Sequence, residues 1–203
     1  AFEELGPTFV KLGQLLATRP NLIPAAFVEE FKKFHDQVAP VPFSDIQRTL
    51  EEDFGKGIDS IFNFITPEPL AAASIAQVHA AQLKTGENVV IKVQRPGIVE
   101  TINNDLGVLY TIAGLLESYV PESRPFNPQS IVDEFFKTLE LETNFVIEAN
   151  NIKRIGQNFA EDPLIKIPKV YFEYTTSRVL VMEELNGIRL SDHRALNSMN
   201  IDK

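Results

Sequence analysis

The sequence predicts an α+β fold, an antiparallel sheet with helices packed against it. Three observations carry this. Residues 1–62 read as helices separated by prolines. Two β-prone runs, Ile75 to Leu83 and Asn88 to Gln94, flank "KTGEN", a glycine-containing hairpin loop. A second pair of strands is expected in "LIKIPKVYFEYTTSRVLVMEEL", around a "TTS" turn, and long helical patterns fill the interval between the hairpins. The chain divides into a helical extension (1–62), a sheet-bearing lobe with inserted helices (63–186) and a segment leaving the sheet (187–203).

In order, "GPTFVKLGQLLAT" is a helix starting near Pro7 or Thr8, with Phe9, Leu12, Leu15 and Leu16 on its apolar side. After "RPNLIP" a second helix starts at Pro24 and lines up Phe27, Phe31 and Phe34. In "PVPFSDIQRTLEEDFG" Ser44 reads as the N-cap, Gln47 completes a capping box and Gly55 stops the helix. The strand "SIAQVHAAQL" alternates, so one of its faces should be buried. Past Pro96, "IVETINNDLGVLYTIAGLLESYV" is a long helix; after "PESRPFNP" a single further helix is expected from about Pro128 to Phe159.

Composition narrows the function. The hydrophobic share of 44% suits a buried core. No run approaches the roughly 20 apolar residues that cross a bilayer. The N-terminus has no signal-peptide pattern and no Met, so the chain is expected to start inside a longer one. With no cysteine, disulfides, thiol catalysis and Cys-based metal sites are excluded. A net charge of −9 argues against nucleic acid as a partner. His35, His79 and His193 lack ligand spacing, so no metal is expected to be held by this chain alone.

The chemistry-bearing positions start with Lys92 in "VVIKV". A strand lysine among β-branched residues has the form of the lysine that holds nucleotide phosphates. The alternative is a lysine whose stem carries its charge to solvent. Upstream lies "AAAS", Ala71 to Ser74, where a kinase places its glycine-rich phosphate turn. Alanine keeps the side chain small but gives up easy positive φ; small residues packing a turn are the alternative. Glu148, amid Phe145, Val146, Ile147 and Ala149, is placed to pair with Lys92. Two hairpins flanking a helix, with a lysine on an inner strand, is the plan of a protein-kinase-like N-lobe. Lys11 and Gln14 stand one helical turn apart in an apolar run and need a polar partner.

Four blocks, "GPTFVKLGQLLATRPNLIP", "LAAASIAQVHAAQL", "VVIKVQRPG" and "VLVMEELNGIRLSD", resemble in that order the ABC1/UbiB (AarF) family of atypical protein-kinase-like proteins. The resemblance covers nearly the whole chain. It implies that Lys11 and Gln14 form the family's KxGQ motif, on an extension folded over a nucleotide pocket. It implies that Ala71, Ala72, Ala73 and Ser74 replace the glycine loop, and that Lys92, Glu148, Glu183 and Leu185 line the nucleotide site. Glu142 matches the first residue of the ExD motif, whereas Asn144 stands in place of its Asp. The opening polar pair is thus expected to meet Glu142 and Asn144.

The same resemblance implies ATP or ADP as ligand, Mg2+ arriving only with the nucleotide and a missing C-lobe, and a role in prenylquinone (coenzyme Q type) metabolism at a membrane surface. Bacterial inner-membrane periphery, mitochondrion or plastid are the implied locations. The HxD…N pattern and DFG-type Asp that should follow the last strand are not found there, so a fragment inactive in phosphoryl transfer is expected. The competing reading is a non-catalytic scaffold whose Phe-rich helices hold an isoprenoid lipid or a partner; "GLLESYV" is a candidate homodimer face.

Overall fold

The structure is a computed structural model and describes residues 2–20, 23–32 and 38–188. Phe34, His35, His193 and residues 189–203 of the expected C-terminal segment lie outside these. The helices are α1 (Phe2–Leu5), α2 (Pro7–Ala17), α3 (Ala25–Phe31), α4 (Phe43–Phe54), α5 (Ile98–Tyr119), α6 (Pro128–Thr143) and α7 (Phe145–Asn158). The strands are β1 (Phe62–Ile65), β2 (Ala71–Ala72), β3 (Ala76–Leu83), β4 (Asn88–Gln94) and β5 (Val179–Glu183). They form one antiparallel sheet in the order β1-β3-β4-β5, with β2 also paired to β3. The fold is therefore α+β, as the pattern predicts.

Strand alternation divides the core in two. Val89, Ile91 and Val93 of β4 join Val179 and Val181 of β5 against Ile46 and Leu50 of α4. On the opposite face Ile75, Ala76 and Leu180 meet Phe135, Leu139, Phe145 and Ala149 of α6 and α7. Each fully buried aliphatic side chain contributes roughly 2 kcal/mol. Because side chains alternate along a strand, Lys92 is forced onto the α7 face, beside its register partners Val78 and Leu180.

Four expectations need correction. Ser44 is not the N-cap of α4: Pro42 is, and no side chain caps that end. Prolines hold the chain extended up to Phe43, whose ring packs on the core and draws the helix start forward. Gln47 donates to Glu51 instead of closing a capping box. Gly55 does end the helix, in the left-handed conformation at φ 63°. Along α3 the buried residue is Val28, while Phe27 is 56% exposed; the helix is too short to turn both faces inward. The single helix expected from Pro128 to Phe159 is two, broken at Asn144. Before β5 only Val170 forms a bridge, to Met182, and Phe172–Tyr174 is a 3-10 turn instead of a strand.

The buried edge of β3 is polar. Gln77 and His79 are both fully buried. Gln77 Nε2 donates to His79 Nε2 at 3.2 Å, and His79 Nδ1–H donates to the Thr66 carbonyl at 2.8 Å. This pairing requires a neutral imidazole, and desolvation holds the His79 pKa below its ordinary value. Above about pH 6.5 both folded and unfolded chains carry neutral His79. Below it, the unfolded chain takes a proton that the folded chain resists, so stability is lost as pH falls toward the lowered folded value. The loss should reach up to about 1.4 kcal/mol per pH unit from this group. Urea midpoints at pH 7.5 and 5.5 measure it, and the difference should shrink in His79→Asn; an unchanged difference would assign the slope to other groups.

Candidate functional site

Lys92 reaches across from β4 to α7, where its Nζ lies 2.7 Å from Glu148 Oε2. The two side chains are 23% and 37% exposed, so the pair stands at a surface, half-withdrawn from water. The buried Phe145 ring lies under the ammonium, 4.7 Å from its centroid. The ion pair read from the sequence is present, and the lysine does not simply run to solvent.

The break that brings Glu148 here has a local cause. Asn144 adopts an extended conformation, φ −108° and ψ 97°, and its Oδ1 accepts from Val146 N–H at 3.1 Å, capping α7. Such a cap stabilises a helix by about 1 kcal/mol. Two tertiary contacts hold the break open. Gln94 Nε2 donates to the Thr143 carbonyl, and Phe145 N–H donates to the Ser177 carbonyl at 3.0 Å. Both groups would otherwise continue a helical ladder.

Lys11 meets Glu142, with Nζ 3.1 Å from Oε2, and its side chain is only 15% exposed. Lys11, Gln14 and Glu142 line a cavity of about 200 Å³ with Thr18 and Leu139. Asn144 does not join them. It opens instead onto a separate cavity of about 740 Å³ between α5, α6 and α7, with Asn103, Glu140 and Ile147. The expected meeting of Lys11 and Gln14 with Asn144 is thereby corrected: capping α7 points that amide elsewhere. A second ion pair, Arg19 with Glu134, ties α2 to α6 and went unread in the sequence. Partners so far apart in the chain leave no local signal.

Ala71 and Ala72 form β2, paired with Val78 and Gln77. Ala73 N–H donates to the Ala76 carbonyl at 2.8 Å, closing a tight turn, and Ser74 is buried. Glu183 ends β5, with its carboxylate held by Lys166 at 2.8 Å and by the Lys169 N–H at 3.1 Å. The Lys166 hydrogen bond, then the Lys169 amide, keep its pKa below the ordinary carboxylate value. The Glu183 N–H is engaged as well, donating to the Lys169 carbonyl at 2.8 Å. Leu185 is exposed just beyond.

The letters Asp53-Phe54-Gly55 do occur in the chain, ahead of the sheet and not after it. Their role is structural. Asp53 accepts from Arg178 Nε at 2.6 Å and from the Thr176 hydroxyl, fastening the end of α4 to the turn before β5.

A family model described as the ABC1 atypical kinase-like domain matches residues 33–203. A probable protein kinase UbiB from Marinobacter nauticus is 42% identical over 202 residues, covering 100% of this chain and 37% of the relative. An uncharacterised protein from Synechocystis is 40% identical over 202 residues, covering 98% of this chain and 36% of the relative. Among solved structures, the Rv3197–erythromycin complex from Mycobacterium tuberculosis gives a TM-score of 0.67 at 26% identity, covering 90% of this chain and 44% of that one. The chain thus spans well under half the length of the curated relatives it matches.

Proposed function

The chain belongs to the ABC1 atypical kinase-like family, and on that premise we propose that it is the nucleotide-binding part of a kinase-like protein acting in prenylquinone metabolism. The observation that carries this reading is the Lys92–Glu148 pair at 2.7 Å on the α7 face of the sheet. A lysine held there by a helix carboxylate presents its ammonium in one orientation, ready to neutralise phosphate oxygens. The alanine turn at 71–74 supplies a close backbone approach on the neighbouring hairpin. Lys11 and Glu142 hold the N-terminal helix over α6, restricting what else can enter. Among the described residues no three His, Asp or Glu form a metal set. Mg2+ is proposed to arrive bound to the phosphates, as that ion usually does.

The test is thermal stability and calorimetry with ATP or ADP and Mg2+. A ligand at 100 times its Kd should stabilise by about 2.7 kcal/mol. No shift and no heat at millimolar nucleotide would count against the reading.

A second reading, a lipid- or partner-binding scaffold, is favoured by an apolar groove of about 300 Å³ lined by Leu12, Leu16, Leu116, Phe126 and Ile131. Beside it α5 leaves Val108, Ile112, Leu115 and Tyr119 exposed, a face that a lipid or a second copy could cover. Among the described residues no helix is long and apolar enough to cross a membrane. Stabilisation by isoprenoid-containing vesicles with no response to nucleotide would move the balance to this reading.

A further inference from the structure

We propose that Arg95 is a positioning residue that locks the alanine turn to the strap at 38–41, so that the nucleotide turn and the N-terminal extension open and close together. The proposal rests on the nucleotide-binding reading above for its ligand, though not for its geometry.

Arg95 follows β4 immediately and stands three residues beyond Lys92. Its Nη1 donates to the Ala73 carbonyl at 3.2 Å, and its Nη2 to the Ala39 carbonyl at 2.9 Å. Its own N–H donates to the Ile75 carbonyl at 3.0 Å. One side chain therefore spans two segments that have no covalent reason to move as one. A guanidinium suits this because its donors are fixed in a planar fork, whereas a lysine is a point donor. Burial disfavours its charge, and the carbonyl dipoles it bridges offset part of that cost.

Two further contacts run alongside. Val38 N–H donates to the Ala72 carbonyl at 3.3 Å. Val41 N–H donates to the Oε1 of Gln77, the register partner of Ala72. The strap is thus fastened to the turn, to its pairing strand and to Arg95. The residue before Arg95 acts in the other direction, since Gln94 pins the α6–α7 break that places Glu148. The last residue of the Lys92 strand and the one after it thus fasten segments on opposite sides, the α6–α7 break and the alanine turn.

The experiment compares amide hydrogen exchange and nucleotide affinity in full-length protein, Arg95→Gln and Arg95→Lys, with melting as a check on folding. In nucleotide-free protein both substitutions should speed exchange in 38–41 and 71–76 together. A fluorescent ATP analogue with Mg2+ should bind roughly tenfold more weakly to Arg95→Gln. In unsubstituted protein nucleotide should slow exchange in both segments. In either variant the slowing in 38–41 should be reduced relative to that in 71–76, since only the Val38 and Val41 bonds still join the strap to the turn.

Arg95→Lys keeps the charge but reaches only one carbonyl, so affinity should recover in part while coupling should not. Coupled protection undiminished in Arg95→Lys would overturn the bridging role, as would acceleration of 71–76 alone in nucleotide-free protein. Failure of unsubstituted protein to bind the analogue would instead overturn the nucleotide reading. The nucleotide-free exchange would still decide the lock.

Discussion

Lys92→Met is expected to weaken nucleotide binding on the order of 100-fold while leaving the protein folded. The lost contact is a charge-assisted one, worth about 1.5–3 kcal/mol, and each 1.4 kcal/mol is a factor of about ten in affinity. The folding cost should be smaller. Glu148 is left without its cation, but it is already 37% exposed and water replaces part of the interaction; about 1 kcal/mol is expected. Methionine keeps the contact with the Phe145 ring, which separates loss of charge from loss of packing. Titration of a fluorescent ATP analogue into both proteins, with melting curves alongside, reads the two effects apart. Glu148→Gln should weaken binding by a smaller factor, because the ammonium remains but is no longer aimed. Equal affinity in Lys92→Met and unsubstituted protein would remove Lys92 from the phosphate site and favour the scaffold reading.

The second large effect is expected at the extension. Lys11→Glu puts a carboxylate opposite Glu142 at a position only 15% exposed. Breaking a fully buried pair costs about 3–5 kcal/mol; with Glu142 in partial contact with water, about 2 kcal/mol is expected here. Glu142→Lys in the same protein should restore most of it, because the pair is rebuilt with its charges exchanged. Urea unfolding of the two single variants and the double closes a mutant cycle with a coupling energy of about 1–2 kcal/mol. Strict additivity would mean that the two side chains are neighbours without energetic coupling. The α2–α6 contact would then rest on the Arg19–Glu134 pair and on Phe9, Leu12 and Leu15, which pack on the same core as Leu139.

Two ion pairs were legible before any coordinates. A lysine in a β-branched run implies a strand, and a glutamate amid apolar helix residues implies a partner, so Lys92 with Glu148 could be read. Lys11 with Glu142 followed from two polar side chains one turn apart, together with the family resemblance. Asn144 meets neither Lys11 nor Gln14; it caps α7 and lines the cavity between α5, α6 and α7 instead. Its neighbours Thr143, Phe145, Val146 and Ile147 are middling helix formers and asparagine favours N-caps, but preferences this weak do not by themselves place a break. Arg95 carried no signal either, because a single arginine beside a proline looks like any strand end.

By itself the sequence determined the α+β class, the β3–β4 hairpin, α2 and α5, and the stop of α4 at Gly55. All of these depend on interactions within a few residues: alternation, helical spacing, or one glycine in the left-handed region. Only the tertiary structure decided where Pro128 to Phe159 would break, which polar groups β3 would bury, and what Arg95 would join. The break is held by Gln94 and by the Ser177 carbonyl. The buried Gln77 is satisfied by Val41 and His79, and Arg95 by Ala39 and Ala73. A backbone carbonyl accepts from any donor the fold brings to it, so its own residue type says nothing about its partner. Those bonds are specific in space and silent in sequence.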